Sequence, residues 1–316
     1  MAHWLVLGST GFVGRALCEA LSRPEHADGP RLLVPSRRPA HGQLLRMLPR
    51  VDLIEADVHD DAAMAGLVAG ASAVVNLVAI LHGNDDAFER VHVALPRRLA
   101  AACQAAGVRR VIHVSAIGAT PDAPSRYLRS KARGEAALRE AGLDLTVLRP
   151  SVIFGAADRL LNLFATLQRF TPVVPLAGAS ARFQPVWVGD VAEALARCLE
   201  QPGTVGRTFE CTGPEEMTLA DLVRAAGRYA GHERPVLPLP DALARLQALL
   251  MEWAPGEPLM SRDNLDSMRV PNIATPGVPG LAALGITASP LSAVAPGYLA
   301  PGQRCGRLDA ARAVHR

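Results

Sequence analysis

A glycine-rich turn near the start of the chain constrains the fold more than any other feature of the sequence. The stretch Leu5–Leu17 reads LVLGSTGFVGRAL: an apolar run enters the turn Gly8–Gly14, and an amphipathic helical pattern leaves it. Dinucleotide folds bind a pyrophosphate at such a turn, because the following helix N-terminus presents unpaired N–H groups to the anion. Glycine spacing alone is a weak signal in a chain with 27 glycines, so its position directly after the first predicted strand gives it weight.

Each glycine of this turn has its own role in a dinucleotide-binding fold. Gly8 permits the tight turn, Gly11 lets the backbone come close to the phosphates, and Gly14 lets the helix pack near the strand. The sequence therefore predicts a dinucleotide site at the N-terminal turn.

Strand and helix patterns alternate through the first half of the chain. The predicted strands are His3–Leu7, Arg31–Pro35, Val51–Ala56, Ala73–Val78, Val111–Val114 and Leu145–Leu148. The predicted helices between them include Phe12–Ser22, Phe88–Ala106 and Tyr127–Ala141. Because such alternation builds a parallel sheet with helices on both faces, we predict an α/β protein with a Rossmann-type doubly wound parallel sheet.

The alternation weakens after Pro150, where helical patterns lie among proline-rich connections. We predict that residues 1–155 form the dinucleotide-binding domain and that residues 184–213 return to it. Residues 214–316, with 156–183, are predicted to form a smaller, mostly helical C-terminal cap. Within the cap, Asp241–Trp253 has a broad apolar face, which we interpret as core in preference to a surface for a membrane or a quinone tail.

Composition excludes several classes of protein. The net charge is +3 without a basic stripe, which gives no sign of a nucleic-acid partner. The histidines and the scattered cysteines lack metal-ligand spacing, so we predict no metal and reduced thiols in a cytoplasmic protein. The cysteines are Cys18, Cys103, Cys198, Cys211 and Cys305. The N-terminus lacks signal-peptide regions, and the longest apolar run, Ala71–Leu81, is too short to span a bilayer.

Two arginines follow the second predicted strand, where many dinucleotide folds carry an acidic residue that holds the ribose 2′-hydroxyl. The guanidinium groups of Arg37 and Arg38 match a 2′-phosphate in charge and in fork geometry. We therefore favour NADP(H) over NAD(H) as the cofactor. The alternative is a pair of solvated arginines in an arginine-rich chain.

Candidate cofactor residues also follow the third and fourth predicted strands. Asp57 and Val58 lie where an adenine amino group would be hydrogen-bonded, although a helix-capping role suits Asp57 nearly as well. Val78 and Ala79 would lie against the cofactor at the carboxyl edge of the sheet. Asn76 interrupts an apolar run, and we weigh a buried structural amide equally with a cofactor contact.

Three residues predict chemistry beside the cofactor. Tyr127 and Lys131 are four residues apart at the start of a predicted helix, so they lie on one face. Lys131 is the one lysine in a chain with 33 basic side chains. A nearby ammonium favours the phenolate and is expected to lower the tyrosine pKa towards the range of a general acid/base. Lysine suits this role better than arginine, because it is a compact charge that also reaches a ribose hydroxyl. Ser115, the third residue, lies at the end of the predicted strand that precedes this helix.

Through these residues the chain resembles the short-chain dehydrogenase/reductase superfamily, in which a serine precedes Tyr-x-x-x-Lys. Within it, the chain resembles most the atypical branch that contains the thirty-nine-kilodalton nucleotide-binding accessory subunit of respiratory complex I. The similar stretches are GSTGFVGR, VPSRR, VNLVAI, VIHVSAIGA, SRYLRSKARGEAALRE, LRPSVIFGAADRLLNLFA, QPVWVGDVA, LMSRDNLDSM and PGLAALGITASPL. No mitochondrial presequence precedes Met1, so a bacterial relative is expected.

The resemblance implies a bound NADPH and assigns its contacts. The residues of the glycine turn that it places at the cofactor are Gly8, Thr10, Gly11, Phe12, Val13 and Gly14. Arg37, with Arg38 beside it, would hold the 2′-phosphate, and Lys131 the nicotinamide ribose. Pro150 and Val152 would pass the carboxamide. Ser115 and Tyr127 would flank a carbonyl or alcohol.

Two functions of different classes follow from the resemblance. The first is an NADP(H)-dependent oxidoreductase on a hydrophobic, quinone-related substrate, with Tyr127 as acid/base, Lys131 as its activator and Ser115 as the carbonyl orienter. The second is an NADPH-carrying accessory protein of a respiratory or ubiquinone-biosynthetic assembly, peripheral at the inner face of the membrane. The short segment between Ser115 and Tyr127 argues against the nucleotide-sugar substrates of related epimerases. The retained serine, tyrosine and lysine favour the oxidoreductase.

Overall fold

The fold is taken from a computed structural model, which describes residues 2–26, 28–253 and 260–300. The strands are β1 His3–Leu7, β2 Arg31–Ser36, β3 Val51–Glu55, β4 Ala71–Asn76, β5 Arg110–Val114, β6 Asp144–Pro150, β7 Ile153–Phe154, β8 Val174–Leu176, β9 Arg182–Phe183, β10 Val186–Trp187, β11 Thr208–Cys211, β12 Met217–Thr218 and β13 Val236–Pro238. The α-helices are α1 Phe12–Leu21, α2 Asp61–Val68, α3 Asp85–Phe88, α4 Leu95–Ala106, α5 Arg126–Glu140, α6 Leu160–Phe170, α7 Val188–Glu200, α8 Leu219–Tyr229, α9 Asp241–Trp253, α10 Arg262–Ser267, α11 Leu291–Val294 and α12 Pro296–Leu299.

The chain divides into two units. The first contains Met1–Pro150, Val188–Cys211 and Ala274–Thr287, and the second contains Ser151–Trp187, Thr212–Ile273 and the residues from Ala288 onward. The predicted division had placed every residue after 213 in the cap, whereas Ala274–Thr287 contributes to the first unit. Part of the predicted cap, together with Cys305, lies outside the described residues.

A seven-stranded sheet carries the first unit, in the order β11-β6-β5-β4-β1-β2-β3, and every neighbouring pair is parallel. The chain runs outward from β1 through β2 and β3, and then returns to the other side of β1 with β4. In open α/β sheets this reversal of strand order leaves a crevice at the carboxyl ends of the two central strands, where ligands bind. The predicted doubly wound parallel sheet is therefore confirmed.

Apolar strand residues and the inner faces of α2, α4 and α5 form the core of this unit. Its fully buried members include Leu5, Leu7, Met64, Val74, Leu95, Leu99, Val111, Leu138 and Val147. Five of the six residues of β4 are buried, as expected for a strand covered on both faces. The sheet is thus held rigidly where its carboxyl edge forms the site described below.

A π-helical segment, Glu89–Ala94, joins α3 to α4, where sequence periodicity predicts one continuous helix. The Leu95 N–H donates to the Arg90 carbonyl, five residues back, instead of four. Helix α5 packs closely on this segment, because a Cβ built at Gly134 would lie 2.1 Å from the His92 carbonyl oxygen. The absence of a side chain at Gly134 therefore allows the backbone of α5 to lie directly against the π-helical segment.

The second unit has its own apolar core, built mainly by α6 and α8. Its buried residues include Phe154, Leu161, Phe164, Leu176, Leu222, Val223 and Leu291. Short strand pairs support it: β8 with β13 and β7 with β10 are parallel, whereas β9 with β12 is antiparallel.

Helix α9 differs from its prediction as a core helix. Only its alanines Ala244 and Ala248 are buried. Four of its large apolar residues are exposed, namely Leu243, Leu246, Leu250 and Trp253, while Leu249 and Met251 are half-buried. The prediction was wrong about this face because small side chains allow close packing on a neighbour while the opposite, larger ones remain outside. None of the helices in the described ranges is long and apolar enough to cross a membrane.

We expect Gly134→Ala to destabilise the protein by about 1–3 kcal/mol, since the new methyl group would overlap the His92 carbonyl oxygen. Urea unfolding followed by circular dichroism measures the change. The matched control is Gly66→Ala in α2, where nothing lies within 4 Å of the new Cβ and a gain of about 0.5–1 kcal/mol is expected. Equal responses of the two variants would contradict the close approach of α5 to the π-helical segment.

Candidate functional site: a nucleotide crevice with a serine, a tyrosine and a buried lysine

The glycine turn has the conformation that the sequence predicts. Gly8 has a φ of +83°, in the left-handed region, and a Cβ there would lie 3.0 Å from the Leu77 carbonyl carbon. At Gly14 a Cβ would lie 2.3 Å from the Ser9 Cα. Gly8 therefore lets the turn after β1 approach the loop after β4, and Gly14 lets α1 pack directly under the turn.

The N-terminus of α1 is open towards this turn. Its capping residue is Gly11, which offers no side chain to the first N–H groups, and no acidic residue lies in the first turn. Arg15 Nε donates a hydrogen bond to the Thr10 carbonyl oxygen at 2.9 Å, and this bond restrains the turn. Backbone donors of Phe12 and Val13 thus remain available for an anion.

The two predicted 2′-phosphate residues lie just beyond β2, and both Arg37 and Arg38 are exposed. Neither makes an ion pair with any residue in the described parts of the chain. Many other arginines in the described ranges pair with a carboxylate, including Arg31, Arg98 and Arg133, whereas these two do not.

The hydrogen bonds in the turn after β3 show that Asp57 does not cap the following helix. Asp60, and not Asp57, caps α2 by accepting the Ala63 N–H. Asp57 Oδ1 instead accepts the His59 N–H at 3.0 Å, which closes the turn between strand and helix. The helix-capping interpretation of Asp57 is therefore wrong, and its exposed carboxylate stays at the carboxyl edge of the sheet next to Val58.

Asn76 is a structural amide. Its Oδ1 accepts the Val78 N–H at 3.2 Å, and its Nδ2 donates to His113 Nδ1 at 3.3 Å. Both groups of the side chain are thereby used inside the protein, where Asn76 is buried. Asn76 therefore holds the loop that contains Val78 and Ala79 in its conformation. Ala79 is exposed on this loop.

Ser115 directly follows β5 and is 4% exposed. Its N–H donates to the Leu148 carbonyl at 2.8 Å, which holds the backbone against β6. Its Oγ is buried and has no hydrogen-bond partner among the residues that the structure describes. An unpaired buried hydroxyl costs about 1–3 kcal/mol, so this hydroxyl is a functional candidate.

Lys131 is buried at the adjoining position, with 2% exposure. Its Nζ donates to the Val114 carbonyl at 2.7 Å, one residue before Ser115. Burial lowers the pKa of Lys131 to about 8, while the nearby Glu135 carboxylate favours the ammonium. Glu135 is itself buried and is paired with Arg149 at 2.8 Å. The sole lysine is thus part of the site and not a solvated surface residue.

Tyr127 precedes Lys131 by one turn of α5, whose N-cap is Ser125. Tyr127 packs against an apolar cluster formed by Ala116, Ala123 and Leu128, of which Ala116 directly follows Ser115. Burial raises the pKa of Tyr127 to about 12. The expectation that Lys131 lowers this pKa is therefore wrong for the free protein, because desolvation of the phenolate dominates.

The remaining predicted cofactor residues lie at the end of β6 and beyond. The Pro150 carbonyl accepts the Ile117 N–H at 3.2 Å, inside the first unit. Val152 belongs to the second unit, where its N–H donates to Asn272 Oδ1 at 2.9 Å.

Sequence reasoning missed His92. It is buried on the π-helical segment, and its ring lies edge-on to Tyr127 with 5.6 Å between centroids. A single histidine inside a helical apolar pattern carries no spacing signal, so only the structure identifies it. In the described chain, no group of three or more histidine, cysteine or carboxylate side chains could hold a metal ion.

The glycine cradle and the open N-terminus of α1 together fit a dinucleotide. Comparison with known proteins agrees: the NAD(P)H-binding family model matches residues 8–202, and the chain belongs to this family.

The chain is 32% identical over 293 residues to the rat mitochondrial protein NADH dehydrogenase [ubiquinone] 1 alpha subcomplex subunit 9, covering 90% of this chain and 76% of the relative. It is 30% identical over 254 residues to a ceramide reductase of Caulobacter vibrioides, covering 79% and 77% of the two chains. The resemblance to the complex I accessory subunit family is thus confirmed.

Solved structures share the fold. MoeE5 in complex with UDP-glucose and NAD superposes with a TM-score of 0.70 at 19% identity, over 94% of this chain and 97% of that one. UDP-glucuronic acid 4-epimerase from Bacillus cereus gives 0.66 at 17% identity, over 84% and 99%.

We expect the affinity for NADPH to fall as the pH rises above about 8, because the predicted contact between the nicotinamide ribose and Lys131 favours the ammonium, and burial lowers the pKa of Lys131 to about 8. Lys131→Met should bind NADPH about tenfold more weakly at neutral pH and lose this pH dependence. Fluorescence titration of NADPH across the pH range measures both effects. A parallel decline in wild type and variant would show that another group is responsible.

Proposed function

We propose that this protein is an NADP(H)-dependent reductase that acts on a carbonyl of a hydrophobic, quinone-related substrate. The single observation that carries the proposal is the buried Ser115 hydroxyl, which lacks a partner in the described chain and adjoins the carbonyl that binds the Lys131 ammonium. A fold with a purely structural role gains nothing from a buried, unpaired hydroxyl beside a buried cation.

Each of the three residues has a distinct part in the proposed reaction. When NADPH is bound, its nicotinamide supplies a hydride to the carbonyl carbon. The Ser115 hydroxyl donates a hydrogen bond to the carbonyl oxygen and orients it, and Tyr127 donates the proton that completes the alcohol. The Lys131 ammonium stabilises the phenolate that remains and holds the ribose.

The preference for NADP(H) rests on charge around the ends of β2 and β3. Arg37 and Arg38 are exposed guanidinium groups without ion pairs in the described chain. His59, after β3, has its pKa lowered mainly by burial; the Asp57 carboxylate opposes this shift, and the charges of Arg90 and Arg37 contribute to it. Two exposed guanidinium groups without a paired carboxylate in the described ranges favour a ligand with an additional phosphate.

The proposed substrate class draws on the relatives. One relative is named a ceramide reductase, and others are named as subunits of NADH dehydrogenase [ubiquinone] or of NADH-ubiquinone oxidoreductase. Reduction of a carbonyl on a lipid-like molecule is compatible with both groups of names and with the serine, tyrosine and lysine of this chain.

The competing function is an NADPH-carrying accessory protein of a respiratory or ubiquinone-biosynthetic assembly at the inner face of the membrane. The similarity to subunit 9 over 90% of the chain favours it. Such a protein needs the cradle and Lys131 for nucleotide affinity, but it needs neither the Ser115 hydroxyl nor the Tyr127 phenol.

Tyr127→Phe separates the two functions. We expect turnover of NADPH with short-chain quinones, aliphatic ketones and long-chain acyl ketones to fall about 100-fold or more, because the proton donor is lost. The affinity for NADPH should stay within about threefold, since the ring remains in place. Tyr229→Phe, in the second unit, serves as the control and should leave turnover unchanged. Absence of turnover in the wild type with every substrate would favour the accessory protein.

Arg37→Ala tests the cofactor preference. We expect the affinity for NADPH to fall about tenfold or more and the affinity for NADH to change by less than about twofold, since only NADPH carries the 2′-phosphate. Arg23→Ala is the control, because Arg23 is equally exposed but follows the opposite end of α1. Isothermal titration with both nucleotides measures the ratio, and equal losses for the two nucleotides would refute the NADP(H) assignment.

A further inference from the structure

A chain of three hydrogen bonds passes through His92. Its Nε2 accepts the backbone N–H of Ile80 at 3.1 Å, and its Nδ1 lies 2.7 Å from Ser130 Oγ. Ser130 Oγ in turn donates to the Tyr127 carbonyl at 2.7 Å. The chain thus connects the loop after β4 to the first turn of α5.

The partners of His92 determine its tautomer. A backbone N–H can only donate, so Nε2 must be the unprotonated nitrogen, and the proton lies on Nδ1. The Nδ1–H then donates to Ser130, whose own proton is used on the Tyr127 carbonyl. Both nitrogens are occupied, so His92 has no free group with which to exchange a proton with a substrate.

The charge state of His92 is fixed as well. Burial and the neighbouring Lys131 ammonium lower the pKa of His92 to about 3. The imidazole therefore stays neutral wherever the protein is folded and active, and it does not repel Lys131.

The imidazole also restrains the phenol ring of Tyr127. The two rings meet at an interplanar angle of 77°. Phe88 stacks on the imidazole with 5.5 Å between centroids and also meets the Tyr127 ring edge-on at 6.2 Å. Such edge-to-face contacts define the plane of each ring, so the three aromatic side chains hold one another in a single arrangement.

The backbone places His92 for this task. Its carbonyl lies directly against Gly134 of α5, where no larger residue fits. The π-helical segment turns more widely than an α-helix, and such segments recur at functional sites. The wide turn allows His92 to reach Ser130 while its carbonyl touches the same helix one turn further on.

We propose that His92 is a positioning residue that sets the Tyr127 phenol and couples it to the loop Leu77–Ile80, which lines the nucleotide crevice. As far as it concerns proton donation, this inference rests on the proposed function. Contact of a nucleotide with Val78 and Ala79 restrains the same loop whose Ile80 N–H holds the imidazole. Occupation of the crevice therefore also steadies the proton donor.

Nuclear magnetic resonance of the full chain, labelled with ¹⁵N-histidine and ¹³C-tyrosine, tests this without a substrate. The His92→Phe and Tyr127→Phe spectra assign the two side chains, and three tyrosines give a simple spectrum. We expect the Nδ1–H tautomer for His92, with no titration between about pH 5.5 and about pH 8.5. An Nε2–H tautomer, or titration within that range, would overturn the proposal.

The Tyr127 ring signal provides the second readout. In His92→Phe, which keeps the ring volume, and in His92→Ala, we expect this signal to shift or broaden, whereas those of Tyr229 and Tyr298 stay unchanged. His3→Ala is the control, because it also removes an imidazole but lies at the start of β1, where its ring is bonded to the Leu67 carbonyl and takes no part in the chain through His92. A Tyr127 signal that is unchanged in both His92 variants, or changed equally in His3→Ala, contradicts a positioning role.

Kinetics complete the test. His92→Phe should lower kcat about tenfold or more and change the Kd of NADPH by less than about threefold, since the displaced group is the proton donor. An unchanged kcat overturns the proposal. If the wild type shows no turnover, the proposed function fails, while the tautomer and the Tyr127 signal still decide whether His92 positions the phenol.

Discussion

The site depends on one buried ammonium and the carbonyl that receives it. Removing a lysine from water is costly, and the bond from Lys131 Nζ to the Val114 carbonyl offsets only part of this cost. The Glu135 carboxylate supplies the remaining compensation while Arg149 and Arg139 hold it in place. Lys131 is stabilised only when α5, the end of β5 and the Glu135 carboxylate are all in place. Its burial therefore requires the observed packing of α5 against β5. An arginine, with a planar fork of five donors, would not be satisfied by a single carbonyl.

Buried polar groups surround this ammonium, and their hydrogen bonding differs in an informative way. Asn76 and His92 use each of their polar atoms within the protein, and so they behave as fixed parts of the scaffold. Ser115 Oγ and His113 Nε2 are buried without a partner among the described residues. Ser115 follows the last residue of β5 at the ligand-binding edge, whereas His113 lies within the strand. The proposed function assigns a ligand contact to Ser115, whereas for His113 the unsatisfied nitrogen is a structural cost.

How much of this could be predicted from sequence depended on whether a feature is periodic. The alternating apolar patterns were enough to predict the parallel sheet, because side chains return to the same face every two residues in a strand and every 3.6 in a helix. The glycine spacing was enough to predict the turn. The spacing of Tyr127 and Lys131 was enough to place both on one face of α5. The π-helical segment breaks that period, and so neither it nor His92 was foreseeable. For α9, amphipathicity indicated an apolar face, but not that its alanines would be the buried side.

The environment of Tyr127 also bears on the direction of the chemistry. With its pKa raised to about 12, the phenol is protonated throughout the physiological range. A protonated phenol can supply a proton to an oxygen that gains negative charge, but it cannot remove one from an alcohol without first ionising in a site that disfavours the phenolate. The Lys131 ammonium, which persists below about pH 8, stabilises the phenolate only after a group has accepted the phenolic proton. In the proposed reaction the protonated phenol therefore acts as the donor to the carbonyl oxygen, whereas the reverse oxidation of an alcohol would first require its ionisation.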